Sequence, residues 1–301
     1  MISVIIPCYN VENYITGCLD SLYHQTSQDF QLILVDDAST DGTLAKIKEY
    51  PYLKEFKEFE LVELSDNNGV SNARNVGISK VKGGYFVLVD GDDCLEKETI
   101  QTISDAILKN NADVIGFDVY LVGIDGSKKV LRLGSSSLKE QMSMAIRGYW
   151  STVWRFAYKT EFIRNNKFQL DTNLTCGEDY LFVCQVLSKV KSFCKIGNPL
   201  YSYATDNAGS AMKKVNIKGL SDQIEATNKV AYMIEADNAL RSFNQDLNYR
   251  YLYIKKLFFK TSLKIWRSWN PQSNSYIGGG NWRLEDRLVF KVISLLSKGL
   301  K

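Results

Sequence analysis

The chain has 301 residues, 45% of them apolar and 12% aromatic, which is enough to bury a sizeable core in one large or two modest domains. Its 37 basic and 34 acidic side chains leave a formal net charge of +3, too slight an excess to nominate a nucleic acid as partner. That charge is unevenly spread: residues 249–301 carry 11 basic and 2 acidic side chains, +9, which leaves −6 on the first 248.

Over the first third, short apolar runs alternate with amphipathic segments, the pattern of βαβ units around a parallel sheet. Ser3–Ile6 predicts a buried strand closed by Pro7, and Tyr14–Gln25 places Ile15, Cys18, Leu19 and Leu22 at helical spacing. Gln31–Val35 predicts a second strand ending on Asp36-Asp37, after which Ser39–Thr43 supplies turn and capping residues for a helix through Lys48. Leu61–Leu64 predicts a third strand, Asp66–Gly69 turns into a helix that Ser71 can cap, and Tyr85–Val89 predicts a fourth strand stopping at Asp90. Ligands of open α/β sheets bind outside the carboxyl ends of the strands. The polar clusters that follow these strands are therefore expected to share one crevice.

Further on, Thr99–Lys109 predicts a helix, Val114–Val122 with Lys129–Leu133 a hairpin around Asp125-Gly126, and Leu138–Arg147 and Glu178–Val190 two more helices. Long helical patterns follow at Gly219–Leu240, Tyr249–Trp269 and Trp282–Lys298. On a helical wheel, Lys256, Lys260, Lys264 and Arg267 share one face while Tyr251, Ile254, Phe258, Ile265 and Trp269 lie opposite; Arg283, Arg287, Lys291 and Lys298 give the last helix a similar side. Two readings stand for this tail: a basic amphipathic surface for an anionic membrane, or an apolar face packed on the body beneath solvated lysines.

The six cysteines form no C-x-x-C pair and His24 is the single histidine, which argues against zinc; Cys8 and Cys18, set among apolar residues, fit a reducing compartment. Met1 leads straight into an apolar strand, and no apolar run reaches the roughly 18 residues of a membrane span. The expectation is a cytoplasmic protein, with peripheral attachment to the inner membrane face if the tail binds lipid.

Asp90-Gly91-Asp92-Asp93 aims carboxylates at the crevice. Hard cations such as Mg²⁺ and Mn²⁺ take oxygen ligands, and substrate phosphates complete a shell begun by one or two carboxylates. Taken alone, the same residues read as a solvated Asp-Gly turn. They do not stand alone: Pro7-Cys8-Tyr9-Asn10, then Val35-Asp36-Asp37-Ala38-Ser39-Thr40-Asp41-Gly42, then Asn68-Gly69-Val70-Ser71-Asn72-Ala73-Arg74-Asn75-Val76-Gly77 precede them in the order of the family 2 glycosyltransferases, which this sequence resembles.

The resemblance covers residues 2–210 and implies a GT-A fold, a Rossmann-like α/β architecture with a mostly parallel sheet flanked by helices, here with a C-terminal helical extension. It divides the chain into a donor-binding half (1–115), an acceptor-binding half of the same domain (116–212) and a basic helical region (213–301). It also implies inverting transfer of a sugar from a nucleotide diphosphate sugar, uridine being the commoner base, to a saccharide or lipid-linked saccharide in cell-surface polysaccharide synthesis. A non-catalytic module that binds nucleotide sugars or saccharides on the same fold is the alternative.

Carried over position by position, Tyr9 packs on the base, Pro7 lines its pocket and Asp36 accepts from the pyrimidine N–H, while Asn68, Arg74 and Gly91 also belong to the donor site. Asp92 is the expected ligand of Mn²⁺ or Mg²⁺, and Asp90 contacts the ribose or the metal shell; Cys94 after Asp93 departs from the commonest pattern. Cys176-Gly177-Glu178-Asp179-Tyr180-Leu181-Phe182 resembles the family's Glu-Asp motif, with Asp179 as the base for the acceptor hydroxyl and Glu178 as its alternative or as a helix cap. Asp37 is assigned a structural role. Trp150, Trp154, Arg155 and Tyr158 precede this motif and either line the acceptor site or pack in the core.

Overall fold

The computed structural model describes residues 1–149, 151–205, 217–259 and 271–276. The first half is a run of strand–helix units: β1 (Ile2–Cys8), α1 (Ile15–Tyr23), β2 (Phe30–Asp36), α2 (Thr43–Lys48), β3 (Glu58–Glu63), α3 (Val70–Ser79) and β4 (Tyr85–Leu88). β1 pairs in parallel with β2 on one side and β4 on the other, and β3 adds in parallel to β2. Strands of this kind are covered on both faces, which is why β1 and β2 are apolar without alternation. Ile5, Ile33, Val35, Phe86 and Leu88 face one core with Ala73 and Ile78 of α3. Val4, Ile6, Leu32, Leu34 and Val87 face the other with Ile15, Leu19 and Leu22 of α1, side chains whose burial stabilises by roughly 1.5–3 kcal/mol each.

Gly77 lets α3 press on β1, since a Cβ there would lie 2.2 Å from Ile5 Cγ2.

The remaining elements are β5 (Cys94–Leu95), α4 (Thr99–Asn110), β6 (Val114–Val122), β7 (Lys128–Leu131), α5 (Leu138–Arg147), β8 (Phe156–Lys159), α6 (Thr160–Asn165), α7 (Glu178–Lys189), β9 (Phe193–Ala204), α8 (Ile217–Ala236) and α9 (Asn244–Phe259). The strands form one sheet in the order β3-β2-β1-β4-β8-β6-β9-β5, with β7 paired to β6. β8 is antiparallel to both β4 and β6, β9 runs parallel to β6, and the predicted hairpin is β6–β7. The sheet is thus parallel from β3 to β4 and mixed beyond. The division expected between 115 and 116 falls inside β6, so both halves share this sheet.

Two local expectations need correction. β1 is not closed by Pro7 but runs through it to Cys8 in register with β2. Ser71 lies within α3 and caps nothing: the helix is preceded by Gly69 at φ 86°, and the Asp37 carboxylate accepts from the amides of Asn68 (3.0 Å) and Gly69 (2.8 Å). The structural assignment of Asp37 follows from those two bonds.

The two C-terminal helices α8 and α9 pack on α5, α7 and each other. Tyr251, Leu252 and Ile254 are buried there, so the described part of the amphipathic pattern turns its apolar face to the body. Lys260, Lys264, Ile265, Arg267, Trp269 and the helix expected at 282–298 lie outside the described residues. Among those described, no helix is long and apolar enough to cross a membrane.

Candidate active site

The loops after β1, β2 and β4 converge as expected. The loop after β1 is stitched to the loop after β2 by Val11 N donating to Thr43 Oγ1 (2.8 Å), Thr40 N donating to Asn10 Oδ1 (2.9 Å) and the Glu12 carboxylate accepting from Gly42 N. Ala38 sits at φ 56°, a left-handed conformation that costs a non-glycine residue about 1–2 kcal/mol and that the stitched loop enforces. Tyr9 lies on this rim, 45% exposed, above the buried Pro7. Asp36 is 2% exposed; its Oδ2 accepts from Ser39 N (3.2 Å), and its buried Oδ1 has no partner. A buried acceptor left unmet costs roughly 1–3 kcal/mol, a deficit that a ligand N–H at the crevice can relieve. Asn68 points elsewhere, its side chain donating to Asp66 O at 3.1 Å.

Arg74, on α3 and 4% exposed, joins the two halves of the site. Its Nη2 pairs with Asp90 Oδ1 and its Nη1 with Asp179 Oδ1, both at 2.7 Å, with Glu178 Oε1 at 3.7 Å. Its Nε has no partner. Burial alone would favour the neutral form; the carboxylates of Asp179, Asp90 and Glu178 outweigh it and hold the guanidinium firmly charged.

Asp90, Asp92 and Asp93 offer carboxylate oxygens within 4.8 Å of one another. Gly91 lets their turn settle against the loop after β1, since a Cβ there would lie 3.1 Å from Val11 Cγ2. Asp93 faces inward, 2% exposed, accepting from Ala204 N (2.8 Å) and from the Tyr201 hydroxyl (2.7 Å), which itself accepts from Asp90 N (3.1 Å). Burial, reinforced by Asp90 and Asp92, pushes the Asp93 carboxyl up to about 8. Asp93 and Tyr201 thus support the turn from beneath, a pair the sequence reading missed because the strand carrying Tyr201 was not expected.

On α7, burial and then Asp179 push Glu178 up to about 7 against the pull of Arg74. Asp179 is also raised by burial, against Arg74, and its Oδ2 accepts from Val153 N at 3.3 Å. One cation among three carboxylates leaves this cluster proton-hungry.

Of the aromatic candidates, Trp154 is 3% exposed and stacks on Tyr201 (centroids 4.7 Å) and Tyr203 (5.2 Å), and Tyr158 is 1% exposed with its hydroxyl donating to Val153 O (2.9 Å). Both are packing residues. Arg155 is buried as well, its pKa pushed down to about 10 by burial, and Trp150 lies outside the described residues. A cavity of about 420 Å³ lined by Tyr85, Lys159, Thr160 and Arg164 opens at the amino end of β4. None of the unpartnered buried polar atoms among the described residues lies in its walls, and the chemistry sits at the opposite end of the strand.

A mostly parallel sheet flanked by helices, with a turn of three acids beyond the carboxyl end of β4, is a GT-A fold. Glycosyl transferase family 2 matches residues 3–180, and the chain belongs to that family. Among relatives, it is 29% identical over 211 residues to the uncharacterized glycosyltransferase EpsJ of Bacillus subtilis, covering 67% of this chain and 60% of EpsJ. It is 27% identical over 217 residues to the poly(ribitol-phosphate) beta-N-acetylglucosaminyltransferase TarS of Staphylococcus aureus, covering 71% of this chain and 37% of TarS. The chain thus spans less than two thirds of the length of either relative. The crystal structure of S. aureus TarS 1–349 with UDP-GlcNAc superposes with a TM-score of 0.75 at 23% identity, over 92% of this chain and 80% of that one. The mannosyltransferase PcManGT of Pyrobaculum calidifontis, solved with GDP-Man and Mn²⁺, superposes with a TM-score of 0.63 at 16% identity, over 98% and 80%.

Proposed function

We propose that the chain is an inverting, metal-dependent glycosyltransferase that moves a sugar from a uridine diphosphate sugar to a hydroxyl of a saccharide or lipid-linked saccharide in cell-surface polysaccharide synthesis. The observation that carries this reading is the Arg74 bridge, which sets the carboxylate of Asp90, at the end of a donor strand, and that of Asp179, on α7, against one guanidinium. Inversion by direct displacement needs that geometry: a cation-compatible turn for the diphosphate and a separate carboxylate for the incoming hydroxyl.

Asp36 accepts from the pyrimidine N–H through its unmet Oδ1, Tyr9 lies on the base, and Pro7 walls the pocket. Asp179 takes the proton of the acceptor hydroxyl as its oxygen bonds to the anomeric carbon and the bond from that carbon to the phosphate oxygen breaks, a contribution of roughly 10²- to 10⁴-fold. The oxygen donor set of Asp90 and Asp92 suits Mn²⁺ or Mg²⁺ in kind, while Asp93 is engaged by Tyr201 and Ala204. Asp92, with Asp90 beside it, would hold the ion, which supplies Lewis-acid stabilisation of the departing nucleoside diphosphate when bound. The activities for which relatives are named and the nucleotide sugars in the superposed structures support the donor class.

The test pairs two variants. Asp92→Ala is expected to lose Mn²⁺-dependent UDP binding in calorimetry, and Asp179→Asn to keep binding while UDP release from the donor falls at least ~100-fold. Undiminished turnover by Asp179→Asn would remove it as the base.

A further inference from the structure

The segment that carries Glu178-Asp179 is held by helices beyond residue 180, where the family match ends. From α8, Asp222 Oδ2 accepts from both Thr175 N (2.9 Å) and Thr175 Oγ1 (2.7 Å), and Lys218 one turn earlier pairs with the same carboxylate at 2.8 Å. Gln223 Nε2 donates to Cys176 Sγ at 3.3 Å, and Lys229 Nζ pairs with Asp171 at 2.6 Å. Gly177, the residue before α7, adopts φ 88°, and a Cβ there would lie 3.2 Å from Ala226 Cβ and 3.4 Å from Gln223 Cα. α8 therefore approaches so closely that glycine fits best. From α9, the Arg250 guanidinium lies 4.2 Å over the ring of Tyr180, whose hydroxyl donates to Ile146 O at 3.2 Å.

Thr175 and Tyr180 flank Glu178-Asp179, and each is fixed by a different C-terminal helix. We propose that α8 and α9 brace the catalytic base, with Asp222 and Arg250 as positioning residues that set Asp179 against the acceptor hydroxyl and act on the transfer step, not on donor binding. This rests on the reading of Asp179 as the base. Apart from the Arg74 bridge to Asp90, the donor-side ties run through the loops after β1, β2 and β4 and through Tyr201 and Ala204 of β9. A general base must come within about 2.6–3.2 Å of the proton's heavy atom, and a misplacement of about 1 Å is worth on the order of 100-fold in rate. An Asp222 that is 8% exposed and accepts two bonds from one threonine is built to prevent such a shift.

The test compares Asp222→Ala and Asp222→Asn with the unaltered chain in three measurements: UDP release from UDP-N-acetylglucosamine with Mn²⁺, UDP affinity by calorimetry, and backbone deuterium exchange. Asp222→Ala is expected to lower kcat at least ~10-fold, with UDP affinity within about twofold, and to speed exchange across residues 172–180 but not across 86–95. Asp222→Asn, which keeps one acceptor for Thr175, is expected to fall between, and carries the comparison should the alanine variant not fold. Unchanged kcat, unchanged exchange at 172–180, or UDP affinity falling as far as kcat would overturn the brace. Asp179→Asn run in parallel separates the two ideas: if it releases UDP at the original rate, the base assignment fails whatever Asp222 does.

Discussion

Replacing Arg74 by methionine removes the one cation that Asp90, Asp179 and Glu178 share while keeping most of the side chain's length. At pH 8 the variant would leave two part-buried carboxylates without contacts of 2.7 Å and a third without one of 3.7 Å. Breaking a buried pair by deleting one partner costs about 3–5 kcal/mol, and because the carboxylates left behind are 25% (Asp90), 19% (Asp179) and 13% (Glu178) exposed, solvent screening pulls the cost toward the lower end of that range. The acids can escape by binding protons, and this gives the prediction its sign. Glu178 is already raised to about 7 in the presence of Arg74, and Asp179 is raised too. Without Arg74 both rise further above their unfolded values. A carboxyl with a raised folded pKa contributes stability that is present below the unfolded pKa and lost as pH rises through the folded one, at about 1.4 kcal/mol per unit per proton. The deficit of Arg74→Met should therefore be small near pH 5 and reach its full size above pH 8. Urea denaturation of both proteins at pH 5, 7 and 8.5 measures it. A deficit below about 1 kcal/mol at pH 8.5, or one independent of pH, would refute the bridge as the organising contact of the site.

Two further outcomes follow from single substitutions. In the unaltered protein, Glu178 and Asp179, both raised by burial, should together make stability fall as pH rises from the ordinary carboxyl range toward neutrality, and Glu178→Gln should flatten that slope in the same urea series. Asp36→Ala should lower UDP affinity at least ~10-fold, since it removes the acceptor for the pyrimidine N–H, yet leave the thermal midpoint without nucleotide no lower, because the unmet Oδ1 goes with it. A matching loss of midpoint would mean that Asp36 is chiefly structural.

The donor half of the site was legible because its residues follow strands whose sequences announce them. Ile2–Cys8 and Phe30–Asp36 are apolar runs bounded by polar clusters, and Tyr85–Leu88 stops two residues before Asp90. The second half gave weaker signals. β8 is four residues long, and β9 contains Gly197-Asn198-Pro199, where its pairing with β6 shifts register between Phe117 and Val119. Neither shows the sustained alternation that marks a strand. Missing β9 concealed Tyr201, and so hid the reason Asp93 is buried. The aromatic run before α7 shows the converse: Trp154 and Tyr158 resemble sugar platforms in sequence, but only the stacking of Trp154 on Tyr201 and Tyr203 and the edge-to-face contact of Tyr158 with Phe182 assign them to the core.

The Asp90–Asp93 turn draws its three acids apart by giving each a different neighbour. Asp93 is pulled under the sheet by Tyr201 and Ala204, at a burial where a carboxyl prefers its proton; Asp90 is turned toward Arg74. Three fully ionised acids within 4.8 Å would repel one another strongly, and on the proposed function, with a divalent cation and a diphosphate received there, that repulsion has to be contained beforehand. Burial that pushes the Asp93 carboxyl toward its neutral form and a guanidinium paired with Asp90 both reduce it. The same guanidinium then reaches Asp179, so on the proposed function the contact that steadies the Asp90 turn also orients the base. Charge balance on the donor side and alignment on the acceptor side are in this way one structural feature, which is why a change at Arg74 should register in both.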